Sequence, residues 1–303
     1  MRATAYIVLA TTLVLWSGNW IVARAVRDAI APGVATAGRL VIVILVLLPL
    51  AWRGMAPKLR GLGARDWAIF GGLGFSGGGL HLAMQWLGLH YTTATNGTLY
   101  LSTSPIFILL LASVFLGEPI RLRQWIGVAI SFVGVALIAA HGDLRALASL
   151  SFNIGDLLAV ASMAMWASYT ILLGKRRDPL DTVQLLLVVC VMGLGFVTPW
   201  LIWDLNHSAG PTLTNNGMLA VLYSALGSLL LAYAGWSYVV ARIGAARAGA
   251  TMHLMPAIAV LLSALFLGEY PVWFHFAGIV LILAGVGLSS SGKRHPTAAP
   301  RRI

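Results

Sequence analysis

The sequence predicts an all-α integral membrane protein with ten transmembrane helices arranged as two inverted five-helix repeats. Three observations predict it. The 303-residue chain is 59% hydrophobic and only 10% charged, whereas soluble domains carry about 25% charged residues. Its mean hydropathy is +0.88. The apolar residues form long runs such as LVIVILVLLPLAW, without the alternation of β-barrel strands. Finally, features of the first half return in the second at a near-constant offset of 150 or 151 residues, the mark of an internal duplication.

Ten runs are long enough to cross a bilayer as helices. The first, near 4–23, follows Arg2 and ends at an ARA string that mimics a signal-peptide cleavage site. Its length and its polar WSGNW interruption (16–20) argue against removal. The second, 33–52, carries Arg39 and Pro49; the third, 67–89, is glycine-rich; the fourth, 93–116, ends in Phe-Leu-Gly-Glu; the fifth, 124–141, holds Gly127 and Gly134. The second half repeats the order at 154–174, 182–203, 217–240, 245–267 and 273–291. Trp16 falls on Trp166, Pro49 on Pro199, Gly77 on Gly227 and Trp86 on Trp236. One residue later in register, Pro105 falls on Pro256, the second Phe-Leu-Gly-Glu closes the ninth run, and Gly278 and Gly285 answer the fifth. The expected units are 1–141, 152–291 and a disordered basic tail, 292–303, on the cytoplasmic side.

Five helices per half is an odd number, so the second half enters the membrane in the opposite sense. With the N-terminus inside, sixteen Lys and Arg fall in inward segments and three (Arg24, Arg27 and Arg145) in outward ones. That asymmetry predicts cytoplasmic termini. It also explains the net charge of +11 as membrane topology rather than a nucleic-acid surface. The lone Cys190 makes neither an internal disulfide nor a metal site. No Walker loop or His-Glu-x-x-His motif is present, so neither cofactor nor metal is expected.

Ten spans, two five-helix halves and a Leu-Gly-Glu closing the fourth helix of each half resemble the drug/metabolite transporter superfamily, in its EamA-type branch. The chain is most similar there to bacterial exporters of aromatic and other amino acids. The resemblance implies a basket of helices around a central cavity, with the fifth helix of each half peripheral. It implies a secondary transporter in the bacterial inner membrane that moves amino acids outward, and no enzyme. An exporter of other small metabolites or drugs is the alternative within the fold. The expected partners are a small-molecule substrate and the lipid bilayer, for a monomer or homodimer.

Polar and aromatic groups inside spans mark the candidate site. Trp16, Asn19 and Trp20 share one face of the first span, and Trp166, Tyr169 and Thr170 repeat the pattern. His81 and Gln85 lie one turn apart in the third span; Asn96, Tyr100 and Ser104 line a face of the fourth. Tyr233 and His253 complete the substrate-binding set. Pro105 and Pro256, read as mid-span kinks, are the expected hinges. No acid lies deep in any span, which favours a neutral or zwitterionic substrate. Arg39 is read as snorkelling to the surface, with a carboxylate clamp as the alternative. Glu118 and Glu269 fall at opposite membrane faces under inversion, so both are read as turn residues that accept from the next helix. The rival enzymatic reading is an intramembrane Ser76/His275 protease dyad drawn from the GFSG string. Topology places the two residues toward opposite faces.

Overall fold

The computed structural model of the chain describes residues 2–25, 30–91, 100–117, 120–143, 145, 153–207, 214–267 and 271–290. Every described element is helical. The order is α1 (Arg2–Ala25), α2 (Pro32–Ala51), α3 (Met55–Arg60), α4 (Ala64–Leu73), a π-helical segment Gly74–Leu80, α5 (His81–Tyr91), α6 (Ser104–Leu116) and α7 (Leu122–Ala139). It continues with α8 (Ile154–Lys175), α9 (Thr182–His207), α10 (Asn215–Tyr223) and a second π-helical segment Ser224–Leu231. The last elements are α11 (Ala232–Ile243), α12 (Ala245–Ala250), a 3₁₀ turn Thr251–His253, α13 (Leu254–Leu267) and α14 (Trp273–Ser290). Among these segments 7 are long and apolar enough to cross a membrane, with shorter apolar helices beside them. Leu45, Val114, Leu265 and Val280 turn large apolar side chains outward. Water disfavours such a surface and lipid accepts it.

Helix ends follow local chemistry. Asn153 and Asp156 form a reciprocal capping box at the start of α8, with bonds of 2.8 and 3.1 Å. Pro32 opens α2, where its missing N–H costs nothing. The neighbouring Gly33 N–H donates to buried Asp204 at 2.7 Å, placing a carboxylate at the positive end of the helix. Gly117 ends α6 at φ +66 and donates to the Ala112 carbonyl, as a helix-closing glycine should. Gly244 alone links α11 to α12. Between α8 and α9, Arg176 donates to Asp178 at 2.7 and 2.8 Å and to the Leu180 carbonyl at 2.8 Å.

The two halves exchange partners. α1 packs on α11 and α13, while α8 packs on α5 and α6. α2 lies against α9 and the second π segment; α9 lies against α2 and the first. α7 and α14 form their own close pair. A Cβ on Gly127 would meet the Gly285 carbonyl at 2.5 Å, and one on Gly134 the Gly278 carbonyl at 2.6 Å; the converse contacts hold too. Backbone therefore touches backbone along this seam. The glycine stripes of the fifth and tenth runs are spent on each other within one chain.

Three features depart from the sequence reading. The fourth span is not continuous: a turn at Ser102–Thr103 precedes α6, and Thr103 Oγ1 donates to the Tyr100 carbonyl at 2.6 Å. Pro105 is therefore the second residue of a new helix rather than a mid-span kink. Pro256 likewise is the third residue of α13, after the 3₁₀ turn. Proline is tolerated there because first-turn N–H groups have no intrahelical acceptor. The prolines inside continuous helices are Pro49 and Pro199. Second, both π segments escaped periodicity analysis, although they too recur at the offset relating the halves. Third, Arg39 does not snorkel: it is 1% exposed.

Replacing Gly285 with Val should push α7 and α14 apart and cost about 1–3 kcal/mol, lowering the thermal midpoint in detergent. Gly287→Ala, facing open space, should leave it unchanged. Burial pushes the Asp178 carboxyl up, but the bonds and charge of Arg176 outweigh it and hold the group below its ordinary value. A depressed carboxyl contributes stability above its unfolded value that is lost as pH falls through the folded one. The midpoint gap between wild type and Asp178→Asn should therefore be widest near neutrality and narrow below about pH 4.

Candidate functional site

The two π segments set the geometry of the centre. A π turn is wider than an α turn and leaves carbonyls open to side chains. Trp16 Nε1 donates to the Ser228 carbonyl at 3.1 Å. The Tyr233 hydroxyl donates to the Gly77 carbonyl at 3.0 Å. Each bond pins an aromatic ring to a widened turn, one in each half of the sequence.

Around these anchors the rings pack into one cluster with Trp166 at its hub. Trp16 meets Trp166 edge-on with centroids 4.9 Å apart. Tyr233, Tyr169, Trp236 and His81 surround Trp166 at 5.1, 5.2, 5.6 and 5.1 Å. Such arrangements satisfy the ring quadrupoles. Glycine makes room: a Cβ on Gly77 would collide with the Tyr169 ring. Trp236 Nε1 donates to Thr170 Oγ1 at 3.0 Å, and Trp166 Nε1 points to Met252 Sδ at 3.2 Å.

A cavity opens beside the cluster. Its walls are Trp16 and Asn19 of α1, His81, Leu82 and Gln85 of α5, Met163 and Trp166 of α8, with Ser228 and Tyr233. Leu101, Met252 and Met255, at the two helix breaks, close it. The volume is about 30 Å³, where a water needs about 10–15 Å³. The cavity therefore holds a water or two and must widen to take a metabolite. Three methionines in its lining have the unbranched, polarisable side chains that allow such repacking.

Its polar groups are fixed. The Asn19 side-chain carbonyl accepts from Ser224 Oγ at 2.6 Å. His81 Nδ1 donates to the Ser162 carbonyl at 2.9 Å, and the Ser162 hydroxyl donates back to the His81 carbonyl at 3.0 Å. In a neutral ring this leaves Nε2 as an acceptor.

Of the residues singled out in the sequence, Trp16, Asn19, His81, Gln85, Trp166 and Tyr233 line this one cavity. Tyr169 stands behind it, against Trp166 and Tyr233. Tyr100 is buried one residue from the lining, its neighbour Leu101 taking that place. His253 lies off the cavity. Its Nε2 donates to the Ser102 carbonyl at 2.8 Å and its Nδ1 meets the Ser131 hydroxyl, so it ties one helix break to the other and to α7. Asn96, Glu118 and Glu269 lie outside the described residues. The protease dyad does not form. Ser76 donates to the Gly72 carbonyl within its own helix at 2.6 Å, while His275 Nδ1 accepts from the Val272 N–H at the start of α14. Sequence reasoning missed the three methionines, whose apolar character hid them among core residues. It recorded Trp236 only as a repeat partner.

The EamA-like transporter family matches the chain twice, over residues 3–140 and 153–291. An uncharacterized transporter of Archaeoglobus fulgidus is 28% identical, over 97% of this chain and 100% of its own length. A probable terminal-alkyne amino-acid exporter of Streptantibioticus cattleyicolor is also 28% identical, over 97% of both chains. A solved crystal structure superimposes with a TM-score of 0.71, covering 96% of this chain and 97% of that one. At 20% identity it supports the fold alone.

Trp16→Phe and Tyr233→Phe each strand a π-segment carbonyl. Each should lower stability by about 1 kcal/mol, read as a lower unfolding midpoint in detergent. Gly77→Ala, which displaces the Tyr169 ring, should cost more. Gly71→Ala, with nothing within 4 Å of the added carbon, should be neutral.

Proposed function

The chain belongs to the EamA-like transporter family, and from that premise we propose that it exports amino acids, aromatic and other neutral ones, by alternating access through the central cavity. It is a multi-pass membrane transporter rather than an enzyme. The observation that carries the substrate reading is the aromatic and methionine lining: five rings meet around Trp166, Asn19 and His81 supply fixed polar groups, and Gln85 adds a further amide. Rings and thioethers accept apolar side chains of varied shape. His81 Nε2 is the acceptor suited to the substrate ammonium. Apolar pockets discriminate weakly between similar side chains, which implies broad specificity. The amino-acid exporter among the relatives supports the same class.

The architecture proposed with this function is ten membrane-crossing segments in two inverted halves, 1–141 and 152–291, with both termini cytoplasmic. Its supports are the π segments and helix breaks recurring at one offset, the exchanged helix packing and the charge asymmetry of the connections. The breaks before Pro105 and Pro256 are the proposed hinges. The bends concentrate where backbone is already unwound.

Purified protein in liposomes, offered labelled phenylalanine, tyrosine, tryptophan, leucine, methionine and threonine with and without a pH gradient, tests the reading. Flux is expected for the aromatic amino acids first. Trp166→Ala should reduce it about tenfold, the loss expected from one well-packed aromatic contact. No flux for any amino acid would sink the substrate assignment. Flux of unrelated drugs alone would replace it with the drug-export reading.

A further inference from the structure

Behind the cavity wall, on the facing helices α2 and α5, three buried polar groups have nothing to bond among the described residues. Thr36 Oγ1, Arg39 Nε and Trp86 Nε1 have no hydrogen-bond partner among the described residues, at exposures of 0%, 1% and 4%. Thr36 and Arg39 are one turn apart on α2, and helical side chains lean toward the helix N-terminus. The Arg39 stem therefore leaves α2 on the face that carries Thr36. Its guanidinium carbon lies 5.3 Å from the Trp86 ring centre. Among the described residues Arg39 donates from Nη2 to the Leu82 carbonyl, at 3.1 Å.

All three groups are donors, and one is a cation that cannot shed its proton. A charge in a membrane interior normally has a partner. No described carboxylate is bonded to it. Asp204 serves Gly33 at the start of α2, about 9 Å away along the axis, and the Asp156 carboxylate accepts from the Asn153 N–H at the start of α8. The titratable groups nearest in effect are Tyr233 and Cys190, a phenol and a thiol that bring no negative charge. Orphaned donors around a cation that has no carboxylate partner among the described residues describe an anion site.

We infer that Thr36, Arg39 and Trp86 form an anion-binding station for the carboxylate of the transported amino acid, an assignment that rests on the amino-acid reading of the cavity. The placement fits. Leu82 and Gln85 line the cavity and share one turn of α5 with Trp86, so the station and the cavity lie on either side of that turn. As the cavity widens, the carboxylate takes the three donors while the side chain stays among the rings. The same donors would also suit a small inorganic anion such as chloride, which the test separates.

Thermal unfolding of the purified full chain in detergent, at ionic strength held with sodium sulfate, reads binding without transport. Sodium acetate is expected to raise the midpoint in a saturable way, and neutral acetamide is not. Arg39→Gln should weaken the acetate midpoint concentration about tenfold or more, and Trp86→Phe, which keeps an aromatic ring but removes the N–H together with the pyrrole part of the indole, about threefold. The milder variant covers the case in which Arg39→Gln fails to fold. A saturable shift with chloride and none with acetate would overturn the carboxylate assignment. No shift with either anion, or an acetate response unchanged in Trp86→Phe and Arg39→Gln, would overturn the station itself. In liposomes, the carboxamide of a transported amino acid should compete at least about tenfold more weakly than the acid; equal competition would also overturn the assignment. If acetate binds but no amino acid moves, the transport reading fails and an anion station remains.

Discussion

A membrane interior offers no water to an unpaired carbonyl, and the centre of this protein is organised by that constraint. The two π segments open their turns and expose carbonyls. Trp16 and Tyr233 fill them, at Ser228 and Gly77. Because the donors are aromatic, satisfying the backbone also fixes two rings at the seam between the sequence halves. The remaining rings then pack on Trp166, and the cavity is the space they leave. Altering a widened turn would therefore disturb the rings, and altering a ring would strand backbone.

The partner exchange between halves gives this centre its capacity for change. α1 belongs to the packing of α11 and α13, and α8 to that of α5 and α6, so neither half holds a complete wall. A shift of one half against the other would alter every side of the cavity at once. The rigid counterweight is the glycine seam of α7 and α14, where backbones already touch. The softer points are the two helix breaks. There Leu101, Met252 and Met255 face the cavity, and His253 holds the breaks together through Ser102. The cavity of about 30 Å³ lies between these elements.

Much of this was legible in the sequence, and the rest was hidden for physical reasons. Apolar run lengths placed most helix ends within a few residues, since the bilayer sets that length. The aromatic face of α1 and its counterpart on α8 were visible because i, i+3 and i+4 spacing survives in any helix. The π segments were invisible: a widened turn has no compositional rule, and GFSGGGL and SALGSLLL share little but small residues. Pro105 reads as a kink because sequence alone does not show that the chain has already unwound before it. Arg39 reads as snorkelling because depth along a helix says nothing of which face is covered, and α5 covers that face. Gly117 behaved as its position in Phe-Leu-Gly-Glu suggested, since only a left-handed residue closes that helix cheaply. His253 was detectable as a polar group in a span, but its direction, toward Ser131 and Ser102, depended on a neighbour 122 residues away.

The central claim is that the cavity opens in turn to the two sides of the membrane. Thiol accessibility tests it most directly. On a Cys190→Ser background, a single cysteine at Leu101 or Met163 would be probed with a membrane-impermeant thiol reagent in right-side-out and inside-out vesicles. Alternating access through the cavity predicts labelling from both sides, slowed from both by a transported amino acid. Labelling from one side only, or from both sides without protection by any amino acid, would contradict it.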